Sequence, residues 1–152
     1  MGASSVRNVE FGAYVDELTA TTATSSKRNR SVDAALLFVD VSGYTALTER
    51  LSALGRVGSE TLTDIVNSCF ERLIDNVIAG GGHVLRFGGD ALFVAFIGPG
   101  RVEQASDTAL AMQRTIGGVP AIQAPGGRVR LSQSIGLHEG ELLLHRWSGS
   151  WN

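Results

Sequence analysis

Residues 33–45, DAALLFVDVSGYT, decide the fold. Ala34 to Val41 (AALLFVDV) is a short apolar run, rich enough in branched and aromatic residues to predict a buried strand. Asp40 stands inside that run, where a charge is out of place. Ser42 and Gly43 end the run. Tyr44 to Leu54 then carries Leu47, Leu51 and Leu54 at spacings of four and three, which predicts a helix. The step from strand to helix leaves free amides at the positive end of a helix dipole, a setting that favours a phosphate.

Working outward, Leu62, Ile65, Val66, Cys69, Phe70, Leu73 and Val77 form one stripe of a long helix that stops before Gly80, Gly81 and Gly82. His83 to Phe87 and Ala91 to Ile97 read as two strands joined around Gly88, Gly89 and Asp90, a hairpin with a carboxylate at its tip. Val102 to Ile116 returns to helix, with Val102, Ala105, Ala109, Met112 and Ile116 on one side. A Gly/Pro-rich loop follows. Val129 to Leu137 alternates as a strand, and Gly140 to Leu144 is expected to turn back and pair with it through His138, Glu139 and Gly140. This order predicts an α+β fold, a βαββαβ sandwich of ferredoxin-like type with helices on one face of an antiparallel sheet.

The flanks are different in character. Val9 to Leu18 places Phe11, Tyr14, Val15 and Leu18 at helical spacing, and the Thr/Ser/Ala stretch Thr19 to Ser26, followed by Lys27, Arg28 and Arg30, reads as a polar linker. The expected organisation is a helix and linker over 1–32, one domain over 33–146 and a tail over 147–152 containing Trp147 and Trp151.

A chain of 152 residues with 43% hydrophobic and 18% charged residues has the material for a single core. Its net charge of -2 supplies no field for nucleic acid or for an anionic membrane surface. No stretch reaches the roughly 20 apolar residues of a membrane helix, and the opening MGASSVRN lacks an apolar signal core. Gly2 is not followed by the pattern for acylation, because Val6 occupies the place of the required Ser or Thr. The single cysteine, Cys69, excludes an internal disulfide and a thiolate metal site, and together these features point to a cytoplasmic protein.

Asp40 and Asp90 carry the chemistry. In a βαββαβ sheet the first strand and the hairpin strands lie at the centre, so the two carboxylates reach one edge of the sheet despite their separation in sequence. Hard oxygen ligands of this kind suit Mg²⁺ or Mn²⁺. Either residue alone is explained as a helix cap or a turn former. Both together, beside Ser42 and Gly43, point to metal and phosphate. His83 reads as a strand residue, and His138 and His145 have no acidic or Cys partners at metal-site spacing.

These residues resemble the class III nucleotidyl cyclases. Phe38 to Thr45 (FVDVSGYT) is similar to that family's first metal motif, and Gly81 to Asp90 (GGHVLRFGGD) to its second. The resemblance covers about Ala34 to Leu144. It implies a cyclase palm-type fold in which Asp40 and Asp90 ligate two metal ions, Mg²⁺ or Mn²⁺, with the Val41 carbonyl as a further ligand. It also implies that amides of Ser42, Gly43, Tyr44 and Thr45 hold the β and γ phosphates of ATP or GTP. The implied reaction is attack of the ribose 3′-hydroxyl on the α-phosphorus with loss of pyrophosphate.

Arg86 stands where many members place a Lys that reads adenine, so the choice of base stays open. In the family a later segment supplies a base-selecting Asp or Thr and then the Asn and Arg that orient the ribose. None follows IGLHEGELLL before Asn152, so the expectation is a cyclase domain incomplete at its C-terminus. Such a chain contributes the metal-binding half of a site shared with a second cyclase domain. A catalytically silent dimerisation or regulatory module is the alternative. A diguanylate cyclase fits less well: Arg86 to Leu92 (RFGGDAL) approaches that family's hairpin, but Ala91 and Leu92 replace its Glu and Phe.

Overall fold

The computed structural model describes residues 29–145. The expected amphipathic helix over Val9 to Leu18, most of the polar linker and the Trp147 and Trp151 tail lie outside the described residues. The elements run β1 (Asn29–Ser42), α1 (Tyr44–Ser52), α2 (Arg56–Ala79), β2 (His83–Gly88), β3 (Ala91–Ile97), α3 (Arg101–Gly117), β4 (Ile122–Ala124), β5 (Gly127–Val129) and β6 (Ser132–His145).

Four strands form one antiparallel sheet in the order β2-β3-β1-β6. Two split β-α-β units interlock to give it. β3 lies between β1 and β2, which are joined by α1 and α2, and β1 lies between β3 and β6, which are joined by α3. This is the βαββαβ arrangement expected from the sequence.

Alternation along the strands separates two faces. On one face Ala35, Leu37, Val39 and Val41 are buried with Leu92, Val94 and Phe96 of β3. Leu47 and Leu51 of α1, Leu73, Ile74 and Val77 of α2, and Met112 and Ile116 of α3 complete that core. On the other face Phe38 and Phe93 pair directly across the ladder, their rings 4.5 Å apart and edge to face. Neither ring is buried.

Three boundaries differ from the sequence reading. β1 begins at Asn29, so residues 29–32, assigned to the linker, pair with β6 instead. The Gly/Pro-rich loop holds a small hairpin, β4–β5, in which Gly126 (φ 79°) and Gly127 (φ 122°) adopt the positive φ that a tight turn needs. The expected turn around His138 to Gly140 does not occur. Gly140 has no positive φ, and β6 runs on unbroken because every residue from Ser132 to His145 has a partner on β1.

Candidate active site

The chemistry gathers at the end of β1 where the chain leaves the sheet for α1. The ladder sets Asp40 directly across from Ala91, the residue after Asp90. One further bond fastens this corner: the Val41 amide donates to the Asp90 carbonyl at 3.1 Å. Asp40, on β1, and Asp90, in the turn that leads into β3, are therefore close although 50 positions apart in the chain. Both are half-buried, and neither carboxylate accepts a hydrogen bond or ion pair from another described residue. Asp90 also lines a small void with Val41, Tyr44 and Leu47, beneath the start of α1.

Gly43 is the N-cap of α1, with φ 96° and no side-chain cap. A Cβ here would lie 2.8 Å from the Arg130 carbonyl oxygen, so this position combines a left-handed backbone with a close approach by another chain segment. The first intrahelical donor is the Leu47 amide, bonded to the Gly43 carbonyl at 3.0 Å. The amides of Tyr44, Thr45 and Ala46 precede it and point out of the helix end, as the opening amides of any helix do. With Ser42 exposed and no acidic residue in the helix's own first turn, this helix end offers donors beside the Asp90 carboxylate.

Asp40 and Asp90 offer hard oxygen donors. Among the described residues no group of three or more His, Cys, Asp and Glu side chains could hold a metal ion. Two carboxylates could instead make the sparse protein contribution of a Mg²⁺ site, where substrate phosphates and water supply the remaining ligands.

Of the residues singled out in the sequence, the structure brings together Asp40, Val41, Ser42, Gly43, Tyr44, Thr45 and Asp90. Arg86 is not with them. It lies on the edge strand β2, across from Phe93, beyond a register shift between Val84 and Arg86, so two strand spacings separate it from β1. The β5–β6 junction, Arg130 and Leu131, expected from the sequence only as part of one strand Val129 to Leu137, interrupts that strand and packs on Gly43, with Leu131 Cδ2 3.5 Å from the site of a Cβ there. Its only signal in the sequence is the apolar Leu131 between two polar neighbours. A cavity of about 410 Å³ between α2 and residues 119–122 contains neither Asp40 nor Asp90.

Comparison with known proteins agrees with the family resemblance and the fold. No family model matches the chain. Over 62 residues, 40% of this chain, it is 42% identical to adenylate cyclase type 10 of Homo sapiens and, equally, of Rattus norvegicus. That match spans 4% of those enzymes. Among solved structures, a bacterial light-regulated adenylyl cyclase superimposes with a TM-score of 0.65 at 22% identity, covering 82% of this chain and 35% of that one. The adenylyl cyclase CyaB from P. aeruginosa gives 0.63 at 21% identity, covering 81% of this chain and 63% of that one. The guanylyl cyclase domain of the RhoGC fusion protein from Blastocladiella emersonii gives 0.59 at 16%, covering 82% and 66%.

Proposed function

We propose that this chain, whose fold is that of the class III adenylyl and guanylyl cyclase domains, supplies the metal-binding half of a nucleotidyl cyclase site. The substrate is ATP or GTP, and the products are a 3′,5′-cyclic nucleotide and pyrophosphate. The observation that carries this reading is the corner where the Val41 amide bonds the Asp90 carbonyl, which holds Asp40, Asp90 and the Gly43 turn at one end of the sheet.

Asp40, Asp90 and the Val41 carbonyl would hold Mg²⁺ or Mn²⁺, two ions by analogy with other phosphoryl-transfer sites. Bound there, the ions neutralise charge on the triphosphate and lower the pKa of the ribose 3′-hydroxyl. The chain's own part is binding and orientation. Amides of Ser42 to Thr45 receive the β and γ phosphates, and Gly43 lets the backbone approach them. In the reaction the 3′-oxygen forms a bond to the α-phosphorus while the bond from that phosphorus to the β-phosphate bridging oxygen breaks, and the hydroxyl proton leaves to solvent.

A second cyclase domain would complete the site. The exposed Phe38 and Phe93 pair, two rungs from Asp40, supports this, since an open apolar sheet face beside a polar site is a surface suited to cover by another domain. An intracellular signalling role in the cytoplasm follows from the same reading; none of the described helices is long and apolar enough to cross a membrane.

The test is an activity assay of the purified chain with ATP and with GTP in Mn²⁺, alone and mixed with a longer homologous cyclase domain whose own metal carboxylates are replaced. Cyclic nucleotide formed only in the mixture is the expected result. Silence of every mixture, with the chain shown to be folded, would favour the non-catalytic module.

A further inference from the structure

The cavity between α2 and residues 119–122 is built from two unlike walls. Along α2, Asp64, Ser68 and Arg72 recur every fourth residue, so these three exposed residues form one row at its edge. The facing wall, residues 119–122, carries only apolar side chains. Between the walls lie Ile65, Cys69 and Leu131, the last two buried. A space of about 410 Å³ with an apolar floor and a few polar groups at its edge has the form of a small-molecule site.

Arg72 decides the charge of the ligand. Its guanidinium makes no ion pair or hydrogen bond among the described residues. The Arg72 charge partly opposes the burial that pushes the Cys69 thiol pKa up, so the guanidinium stands close to the cavity floor. Glu71 and Asp75, its neighbours on α2, do not line the cavity. Asp64 does, but eight residues away, about 12 Å along the helix, beyond the roughly 8 Å over which exposed charges act at physiological salt. An anion seated at Arg72 therefore escapes its repulsion.

The floor is also shared. Ile65, Cys69 and Leu131 line, from their other side, the void that Asp90 forms with Val41 and Tyr44. Leu131 Cδ2 lies 3.5 Å from the site of a Cβ at Gly43. One layer of three side chains thus separates this cavity from the corner that carries the chemistry, and close-packed side chains transmit displacement.

We propose that this cavity is a regulatory site for a small apolar molecule bearing one carboxylate. The apolar body lies between Ile65 and residues 119–122, and the carboxylate accepts the paired N–H donors of Arg72. Its arrival moves Leu131 against the Gly43 turn and so alters the site holding Asp40 and Asp90. The binding step is independent of the cyclase reading; only the meaning of its effect on Gly43 rests on that reading.

The experiment titrates the full chain, without metal or nucleotide, with three probes of equal chain length: octanoate, octylammonium and octanol. Calorimetry should show octanoate binding about tenfold or more tighter than either of the others, and NMR should show it moving the amide resonances of Ile65, Leu131 and Gly43. Arg72→Gln should weaken octanoate by about tenfold to a hundredfold, the range of a hydrogen bond to a charged group, and leave octanol unchanged. Arg72→Lys should recover part of that loss. Ser68→Trp, whose indole would fill the space, should abolish binding of octanoate. Both positions are exposed, so thermal midpoints without ligand should stay with that of the unaltered chain. Octylammonium binding as tightly as octanoate would overturn the assignment, as would undiminished octanoate binding in either variant, which would mean adsorption elsewhere, or no binding of octanoate at all. Resonance shifts at Ile65 and Leu131 that stop short of Gly43 would overturn the regulatory link. Because no readout here uses metal, nucleotide or turnover, failure of the cyclase reading in its own assay is told apart from failure of this site.

Discussion

Two adjacent rungs of one ladder, Leu37 with Val94 and Phe38 with Phe93, differ completely in their surroundings. Leu37 and Val94 are 1% and 0% exposed under the helices, whereas Phe38 and Phe93 are 45% and 40% exposed on the opposite face. The same two strands, a few ångströms apart, thus provide the core on one side and an uncovered aromatic surface on the other. Asp40 stands on the uncovered side, two rungs from the rings. Asp90, by contrast, lines a void with Val41 and Leu47 on the helix side. Substitutions on the two faces should have separable effects.

Leu37→Ala is the strongest break of that comparison. It removes a fully buried side chain from the centre of the core, and a loss of about 2–5 kcal/mol is expected in urea unfolding. Gly43→Val comes next. Its strain at φ 96° and its collision with the Arg130 carbonyl should cost about 1–3 kcal/mol and should also weaken triphosphate binding in calorimetry, whereas Ser42→Ala should leave both nearly unchanged. A stable Gly43→Val protein with normal binding would remove the phosphate cradle from the account.

Phe38→Ala on the open face should cost only about 1 kcal/mol, because nearly half of the ring is already in water. If unfolding shows a loss as large as that of Leu37→Ala, the open face is covered in solution. Asp40→Asn is expected to shift stability by less than about 0.5 kcal/mol while abolishing Mn²⁺-dependent nucleotide binding.

The smallest effect concerns Cys69, on the covered side. Burial pushes its thiol pKa up, with the nearby Arg72 charge partly opposing. A raised value in the folded state means that the associated stability is fully present below the ordinary thiol range and is lost as pH rises through the raised value. Denaturant unfolding of Cys69→Ala should accordingly lose less stability than the unaltered chain between neutral and strongly alkaline pH.

Much of this was legible in the residues because local rules and tertiary packing agree. The run AALLFVDV announced β1, and the glycines before His83 and around Asp90 marked the end of α2 and the tip of the β2–β3 hairpin. Asp40 and Asp90 stood out because each violates the pattern of its segment. What stayed hidden depended on partners far along the chain. Gly136 and Gly140 look like punctuation, yet β6 crosses both because β1 offers it an unbroken row of partners. Residues 29–32 are polar or charged except Val32, and only pairing with β6 makes them strand. The press of Arg130 on Gly43 joins segments with no common motif, so no local pattern reports it.

The long β1–β6 ladder also bears on how fast this protein reaches its native state. Ser31 reaches across it to Glu141, 110 residues further along the chain. Closing so large a loop sacrifices chain entropy before any of the ladder's bonds can form, whereas the β2–β3 hairpin closes over a two-residue turn. The hairpin and the helices following β1 should therefore form early and the β1–β6 seam late. Until that seam closes, both strands carry unpaired edges, and self-association during refolding should rise with protein concentration.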